Sequence, residues 1–341
     1  AKLIAGYVYS DAGDGESTTD LVFAGHNIIA ENGVLISESK LFENGLVYGE
    51  IDVDLIANER RRTSSGYFNN SDTPCGNYSI IGFTSEERAA ILDRKFSKTP
   101  FVPTDGLGER SELILTMQQK GLEQRIRHTG AKTAVIGISG GLDSALAFLV
   151  TCRAFKALNK PLEDIIAVTM PGFGTTQKTK NNSVKLIEEL GATVKIIPIS
   201  ETVEKHFNDI GHDAKNTNVT YENAQARMRT MILMDIANDN NGMVIGTGDL
   251  SELALGWATY NGDHMSMYGV NSSVPKTLVK HLVAYEAKKL GGEAEKILNS
   301  ILDTEISPEL LPPDKNGNIA QMTENIVGPY VLHDFFLYYI V

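Results

Sequence analysis

Cysteine, positive charge and long apolar stretches are all scarce in this sequence. Only 2 of its 341 residues are cysteines, too few for a disulfide framework, so a reducing compartment such as the cytoplasm is expected. Its 31 lysine and arginine residues are outnumbered by 43 aspartate and glutamate residues, which gives a net charge of −12. This balance disfavours a nucleic-acid partner, because such binding depends on cations that neutralise phosphates. The sequence has no signal peptide, in which a basic segment would precede an apolar one, and no apolar run of about 18 residues. Export and a membrane partner are therefore not expected.

The rest of the composition is typical of a soluble globular protein. Apolar residues make up 42% of the chain and charged residues 22%, and the length is sufficient for two domains. The chain begins at Ala1 without a methionine, and it ends inside the apolar run of residues 335–341. A free end of that kind would expose a large apolar patch, so we expect the chain to be a piece of a longer protein.

The first sixty or so residues have the composition of β-strands. Strands are predicted over residues 2–10, 21–29 and 45–56, and Asn32–Gly33 is a typical hairpin turn. From about residue 60 to residue 77 the composition shifts to arginine, serine, asparagine and glycine, which indicates a loop or linker.

After about residue 110 the chain alternates between apolar strands and amphipathic helices. The predicted strands are residues 133–138, 165–170, 193–199 and 243–246. The predicted helices are residues 111–128, 142–158, 178–190 and 221–240. This alternation predicts an α/β fold with a doubly wound parallel sheet, in which ligands bind beyond the carboxyl ends of the strands.

One loop at such a strand end has the composition of a phosphate site. The sequence from Gly137 to Ser144 reads Gly-Ile-Ser-Gly-Gly-Leu-Asp-Ser and joins a strand to a helix. Adjacent glycines allow backbone N–H groups to approach a ligand, and the helix N-terminus favours negative charge. The loop is therefore predicted to hold a phosphate or pyrophosphate.

Asp143 in this loop indicates a metal ion. A carboxylate beside a bound phosphate is repelled unless a cation lies between them, and Mg²⁺ combines few carboxylates with ligand phosphates. The alternative is a plain strand–helix turn, in which Asp143 is a first-turn charge that favours the helix dipole.

These residues resemble a known family. The loop 139–144 resembles the pyrophosphatase loop of N-type ATP pyrophosphatases, which share an adenine nucleotide α-hydrolase-like fold. The segments 223–229, 246–252 and 274–277 resemble successive blocks of NAD synthetase, and the likeness runs from about residue 129 to the end.

The N-terminal part is similar to a different portion of the glutamine-dependent NAD synthetases. Residues 16–23 and 26–33 resemble the late part of their nitrilase-like glutaminase domain. This implies residues 1–66 as the β-rich C-terminal part of that α/β domain, 67–110 as a linker and 111–341 as the ATP-dependent synthetase domain. The glutaminase Glu–Lys–Cys triad is expected upstream of Ala1, because neither Cys75 nor Cys152 matches it.

The resemblance implies a two-step reaction. The nicotinate carboxylate of deamido-NAD attacks the α-phosphorus of ATP, which gives an adenylate and releases pyrophosphate. Ammonia then attacks the adenylate to give NAD and AMP. Carboxylate oxygen is a poor leaving group at neutral pH, and adenylation replaces it with a good one. The implied partners are ATP, Mg²⁺, deamido-NAD and ammonia, which glutamine hydrolysis supplies in the full-length enzyme, and a homo-oligomer is expected.

The resemblance also implies site residues. Those for ATP are Gly137, Ile138, Ser139, Gly140, Gly141, Leu142, Asp143, Ser144 and Thr247. Those for deamido-NAD are Asn223, Arg227, Glu252, Trp257, Ala258, Thr259 and Tyr260. Asp143 and Glu252 are the expected metal ligands. Lys276 is expected to neutralise phosphate charge during adenylation, and Asp263 to hold ammonium or take its proton.

Several of these residues also have structural interpretations. Glu252 is compatible with a helix N-terminal carboxylate, and a lone tryptophan such as Trp257 is usually part of a core. Asp249 is predicted to be a helix N-cap, His264 a structural residue and Cys152 a packed helix residue.

Two other functions remain open at this point. One is another amidating or thiolating enzyme of the ATP-pyrophosphatase type. The other is a non-catalytic adenine-nucleotide-binding module, against which the presence of Asp143, Glu252 and Lys276 argues.

Overall fold

The chain separates into two compact units, which are described one at a time. A computed structural model describes residues 3–13, 15–16, 22–63, 82, 94–304, 310–311 and 323–340. The first unit is Ala1–Phe96 and the second is Ser97–Val341. Cys75 and most of the predicted linker lie outside the described residues.

A three-stranded antiparallel sheet forms the first unit. Its strands β1 (Gly6–Tyr9), β2 (Ile28–Glu31) and β3 (Val34–Glu38) pair in that order. Asn32 and Gly33 connect β2 to β3 with φ angles of 45° and 85°. Positive φ at both turn positions is what a tight hairpin needs, so the predicted hairpin is confirmed.

The strand predicted over residues 45–56 is wrong. Residues 45–52 are not in a strand, and residues 53–56 are the start of helix α1 (Val53–Arg62). Asp52 accepts a hydrogen bond from Leu55 N at 2.8 Å and caps this helix. The last turn carries three arginines, where positive charge is favourable. These capping signals outweigh the β-rich composition just before them.

The second unit contains a five-stranded parallel sheet with the strand order β6-β5-β4-β7-β8. Its strands are β4 (Thr133–Gly137), β5 (Ile165–Thr169), β6 (Thr193–Ile196), β7 (Gly242–Gly246) and β8 (Tyr268–Gly269). Its helices are α2 (Leu107–Thr129), α3 (Leu142–Ala157), α4 (Gln177–Glu189), α5 (Ser200–Ile210), α6 (Val219–Asp239), α7 (Leu250–Leu255), α8 (Lys276–Leu290), α9 (Gly292–Leu302), α10 (Thr323–Val327) and α11 (Tyr330–Ile340). The predicted parallel sheet is confirmed, and the four long predicted helices begin and end within a few residues of α2, α3, α4 and α6.

Both faces of this sheet are buried. Ala134 and Ile136 of β4 belong to one apolar cluster, together with residues of α2, α3, α8 and α9. Val135, between them, belongs to a second cluster with residues of α5 and α6. Successive side chains of a strand point to opposite faces, so helices cover the sheet on two sides and the fold is doubly wound.

The strand order fixes where a ligand can bind. The chain runs from the central strand β4 outward through β5 to β6, and then returns to β7 on the other side of β4. The loops after β4 and β7 therefore lead in opposite directions, which opens a crevice at the carboxyl ends of these strands. No helix in the described part of the chain is long and apolar enough to cross a bilayer.

An ionic network joins three helices on one side of the sheet. Arg153 of α3 pairs with Glu112 of α2, and its Nη1 lies 2.8 Å from Glu286 Oε1 of α8. Lys289 Nζ lies 2.7 Å from Glu112 Oε2. The hydrogen bond from Arg153, reinforced by Lys289 against the effect of burial, lowers the pKa of Glu112 to about 2.

The pH dependence of the free energy of unfolding in a Glu112 variant tests this network. A group whose pKa is lower in the folded state contributes stability above its unfolded pKa of 4.5, and this contribution is lost as the pH falls towards about 2. Because Glu112 is partly exposed, we expect Glu112→Gln to lower the free energy of unfolding by only about 1 kcal/mol at neutral pH. Urea unfolding should show this difference shrinking below about pH 4.5. Exposed Glu188 provides the control Glu188→Gln, and an unchanged difference at acidic pH would contradict the assignment.

Candidate active site

A cavity of about 600 Å³ lies at the carboxyl ends of β4 and β7. Most of the residues predicted to form the site line it. These are Gly137, Ile138, Ser139, Gly140, Gly141, Leu142, Asp143, Ser144, Asn223, Thr247, Glu252, Trp257, Ala258, Thr259, Asp263 and Lys276. Segments that are far apart in the sequence therefore meet in one space.

The glycine loop has the backbone geometry of an anion site. Gly140 has a φ of +87°, and a Cβ there would lie 2.5 Å from Thr179 Cγ2. Gly141 is the N-cap of α3 and supplies no side-chain cap for the N–H groups of the first turn. Ser144 Oγ donates to Gly141 O at 3.0 Å and fixes the turn from inside the helix. The N-terminus of α3 can therefore offer its N–H groups to a phosphate.

Beside this loop, the Lys276 ammonium is bound by three carboxylates. Its Nζ lies 2.7 Å from Asp143 Oδ2, 2.7 Å from Asp249 Oδ2 and 2.9 Å from Glu252 Oε1. The first and third contacts are hydrogen bonds, whereas the contact with Asp249 is an ion pair without hydrogen-bond geometry. Lys276 and Asp249 are buried, and the other two side chains are about one quarter exposed.

The charges in this cluster shift its pKa values strongly. Burial raises the pKa of Asp249 to about 8, and the charges of Asp143 and Glu252 add to this while Lys276 opposes it. Burial also raises the pKa of Glu252. For Lys276, burial lowers the pKa, but the three carboxylates outweigh burial and hold it well above its ordinary value. The ammonium therefore stays charged at neutral pH.

The cluster has donors suited to a divalent cation. Oxygens of Asp143, Asp249 and Glu252 lie within 4.8 Å of one another. The cluster brings three carboxyl groups to one ammonium. Asp143 Oδ1 is buried and has no hydrogen-bond partner among the described residues. An orphaned carboxylate oxygen in an acidic cluster beside an anion site is a donor that Mg²⁺ accepts readily, so these residues fit such an ion.

Asp249 belongs to this cluster although the sequence indicated only a structural role. The predicted N-cap is confirmed, because Asp249 Oδ1 accepts a hydrogen bond from Glu252 N at 2.8 Å. Its second oxygen contacts Lys276. The position of Asp249, three residues before Glu252 at the end of a buried strand, was the signal that could have identified it.

The opposite wall of the cavity joins α6 to the segment after α7. Thr259 Oγ1 donates to Asn223 Oδ1 at 2.9 Å, and Thr259 N donates to Asp263 Oδ1 at 2.7 Å. Burial raises the pKa of Asp263. The His264 ring nitrogen Nδ1 lies 2.8 Å from Thr259 O, which agrees with the predicted structural role of this histidine. Trp257 is half-buried and lines the cavity instead of joining either apolar cluster.

Two predicted site residues lie outside the cavity wall. Arg227 Nε donates to Tyr260 O at 3.0 Å, so the structure brings this pair together. Both residues are exposed, and neither lines the cavity. Their predicted contact with deamido-NAD stays a prediction.

Two residues of the site were not singled out from the sequence. Arg229 lines the cavity and donates to Met170 O at 3.3 Å; it ends the same sequence block that contains Arg227. Asn271 is fully buried, and its Nδ2 donates to Asp143 O at 2.9 Å and to Thr247 O at 3.1 Å. It thereby joins the loops that follow β4 and β7, a contact between distant segments that no local pattern signals.

Cys152 is a packed residue of α3, as predicted. It is buried, and burial raises the pKa of its thiol to about 12. A thiol of this kind is protonated at neutral pH and is a poor nucleophile.

The doubly wound sheet and the position of its cavity define an α/β domain of the class that binds nucleotides at the carboxyl edge of the sheet. Residues 114–314 match the family described as NAD synthase. The matched stretch is more than half of the chain, and the chain belongs to the NAD synthase family.

Relatives identified by sequence are glutamine-dependent enzymes. The glutamine-dependent NAD(+) synthetase of Mycobacterium tuberculosis is 41% identical over 358 residues, which cover 100% of this chain and 52% of the relative. That of Thermotoga maritima is 28% identical over 321 residues, covering 92% and 51%. The chain spans about half the length of the curated relatives it matches.

Solved structures agree on the fold. An NMN synthetase from Francisella tularensis has a TM-score of 0.55 and 26% identity, and the match covers 67% of this chain and 85% of that one. The glutamine-dependent NAD+ synthetase of Acinetobacter baumannii in complex with ADP has a TM-score of 0.51 and 23% identity, covering 90% and 49%. The second likeness shows the fold alone. The fold is the adenine nucleotide α-hydrolase-like one expected from the sequence.

The two glycines of the loop should differ in their tolerance of a side chain. Gly140→Ala would place a methyl group against Thr179 with a φ in the left-handed region, and we expect it to lower the free energy of unfolding by about 2 kcal/mol or more. At Gly141 the φ is −92° and the nearest atom to a Cβ is Ser139 Oγ at 3.4 Å. The matched control Gly141→Ala should therefore stay within about 1 kcal/mol of the parent. Equal losses in thermal unfolding would show that the turn geometry is wrong.

Proposed function

We propose that this chain carries the ATP-dependent amide-forming part of a glutamine-dependent NAD synthetase. In this reaction deamido-NAD is amidated to NAD through an adenylate, with release of pyrophosphate and AMP. The observation that carries the proposal is the meeting of the glycine loop and the Lys276 cluster in one cavity of an NAD synthase family member.

The triphosphate of ATP is assigned to the glycine loop. The residues at the start of α3 line the cavity, and their N–H groups have no side-chain cap. Ser139, Ser144 and Thr247 add hydroxyl groups to the cavity wall. This set of donors favours an anion of several charges.

Asp143 and Glu252 are the proposed ligands of Mg²⁺, with Asp249 beside them. The ion would withdraw charge from the phosphates while the carboxylate attacks. Lys276 adds a permanent positive charge at the same place, because its pKa is held well above its ordinary value. It can neutralise the charge that develops on the departing pyrophosphate.

Deamido-NAD is assigned to the opposite wall. Trp257 offers an aromatic face for the pyridine ring, and Asn223, Ala258 and Thr259 also line the cavity. Arg227 and Tyr260 are proposed as contacts at the edge of this region. Asp263, whose pKa is raised by burial, is proposed to take a proton from ammonium as the nitrogen attacks the adenylate.

The first unit is proposed to be the remnant of a glutaminase domain. Residues 1–66 would form the C-terminal part of that domain and 67–110 a linker to the synthetase domain of 111–341. Glutamine hydrolysis would then supply ammonia in the full-length enzyme. A cytoplasmic setting and a homo-oligomer are part of the same proposal.

Another amidoligase of the same superfamily is the second candidate. The structural likeness to an NMN synthetase favours this alternative over a non-catalytic module, as does the complete cluster around Lys276. An assay that compares deamido-NAD with nicotinate mononucleotide as the acceptor of ammonia separates the two amidations.

Turnover tests the proposal directly. With ATP, Mg²⁺, ammonium and deamido-NAD, the chain should form AMP and NAD in equal amounts, and Asp143→Asn should lower this rate by roughly 100-fold or more. Exposed Asp239 on α6 does not line the cavity, so Asp239→Asn is the matched control and should be active. Chromatography of the nucleotides provides the measurement. Undiminished turnover by Asp143→Asn would refute the metal role, whereas ATP binding without turnover would favour the non-catalytic module.

A further inference from the structure

Asp334 of α11 is a buried carboxylate that the proposed reaction does not use. It is fully buried, and its Oδ2 accepts hydrogen bonds from Thr277 N at 2.8 Å and from Thr277 Oγ1 at 2.6 Å. Its Oδ1 accepts a hydrogen bond from Ser251 Oγ. The carboxylate therefore joins α11 to the first turn of α8 and to α7.

These hydrogen bonds continue to the backbone of Lys276. Helix α8 begins at Lys276, and its N-cap, Pro275, has no side-chain hydrogen bond to offer. Lys276 N donates to Ser251 Oγ at 2.9 Å, and the next N–H group donates to Asp334. A carboxylate at a helix N-terminus also interacts favourably with the helix dipole. Asp334 thus fixes the point from which the Lys276 side chain extends.

A second residue of α11 contacts the far end of the same side chain. The Lys276 Nζ lies 5.1 Å from the centroid of the Tyr330 ring, within the range of a cation–π contact. Tyr330 is buried, and its hydroxyl has no hydrogen-bond partner among the described residues. The ring, and not the hydroxyl, is therefore the part of Tyr330 that acts on Lys276.

We propose that Asp334 and Tyr330 are positioning residues for Lys276. Asp334 holds the backbone of Lys276 indirectly, through Ser251 Oγ and the N–H group of Thr277. The ring of Tyr330 covers one side of the Lys276 ammonium, which directs the ammonium towards the carboxylates and the triphosphate. This inference rests on the proposed role of Lys276 in neutralising phosphate charge. It adds α11, which lies beyond the residues 114–314 that match the NAD synthase family, to the elements on which ATP binding depends.

Binding of ATP with Mg²⁺, measured by calorimetry, tests the coupling in a double-mutant cycle. Asp334→Asn keeps the shape of the side chain but has one acceptor oxygen where Asp334 has two. The amide can therefore accept hydrogen bonds from Thr277 or from Ser251 Oγ, but not from both. We expect Lys276→Met and Asp334→Asn each to weaken ATP binding about tenfold, and the double variant to bind no more than about twofold more weakly than Lys276→Met alone. If Asp334 had a merely structural role, the fold-losses in ATP affinity from the two single variants would multiply in the double variant. That result would overturn the inference.

Further variants separate positioning from folding. Tyr330→Phe should bind ATP like the parent, because the ring is kept, whereas Tyr330→Leu should weaken binding several-fold, roughly as loss of a cation–π contact predicts. Thr277→Val removes one hydrogen bond to Asp334 and serves if Asp334→Asn does not fold. Introduced into the parent, Thr277→Val should weaken ATP binding, whereas introduced into Lys276→Met it should have no further effect. Equal weakening of ATP binding in both backgrounds would overturn the inference.

Glu123→Gln is the matched control for a buried carboxylate exchanged for an amide. Glu123 lies in α2, is buried, and does not line the cavity. We expect it to lower the melting temperature while ATP binding is retained. If the parent chain itself binds no ATP, the proposed function fails and the inference with it. If the parent binds ATP and Lys276→Met binds it equally well, the inference alone fails. If the parent binds ATP and forms AMP while the cycle is additive, only the inference fails.

Discussion

The contact between the Lys276 ammonium and three carboxylates is the interaction on which the rest of the site depends. It brings together the N-terminus of α3, the start of α7 and the start of α8. A buried ion group of this kind is costly unless every member has a partner. Here the balance is incomplete, since one ammonium faces Asp143, Asp249 and Glu252. The remaining negative charge and the orphaned Asp143 Oδ1 make the cluster receptive to a further cation.

The parallel sheet makes this contact possible. Because β4 and β7 are neighbours, the loops that follow them open side by side, and Asn271 joins their backbones through one amide group. Gly140 then allows the first loop to turn closely against α4. The buried strands form a rigid scaffold, and the loops at their carboxyl ends carry the functional side chains. This arrangement is usual in such folds.

Local patterns predicted most of the second unit. The alternation of strands and helices, the glycine loop and the capping role of Asp249 are all short-range features, and the structure agrees with each. Contacts between distant segments were beyond such patterns. Nothing near Asp334 in the sequence indicates that it meets Thr277, and Arg227 was assigned to a site whose cavity wall it does not join. In the first unit, composition favoured a strand up to residue 56, but the Asp52 cap stabilises a helix that begins at Val53.

The path of one oxygen atom tests the central claim, that this cavity activates a carboxylate by adenylation. Deamido-NAD labelled with ¹⁸O in its nicotinate carboxylate would be supplied with ATP, Mg²⁺ and ammonium, and the products analysed by mass spectrometry. Attack on the α-phosphorus predicts one labelled oxygen in each AMP and none in pyrophosphate. Unlabelled AMP, or label in inorganic phosphate, would contradict the account.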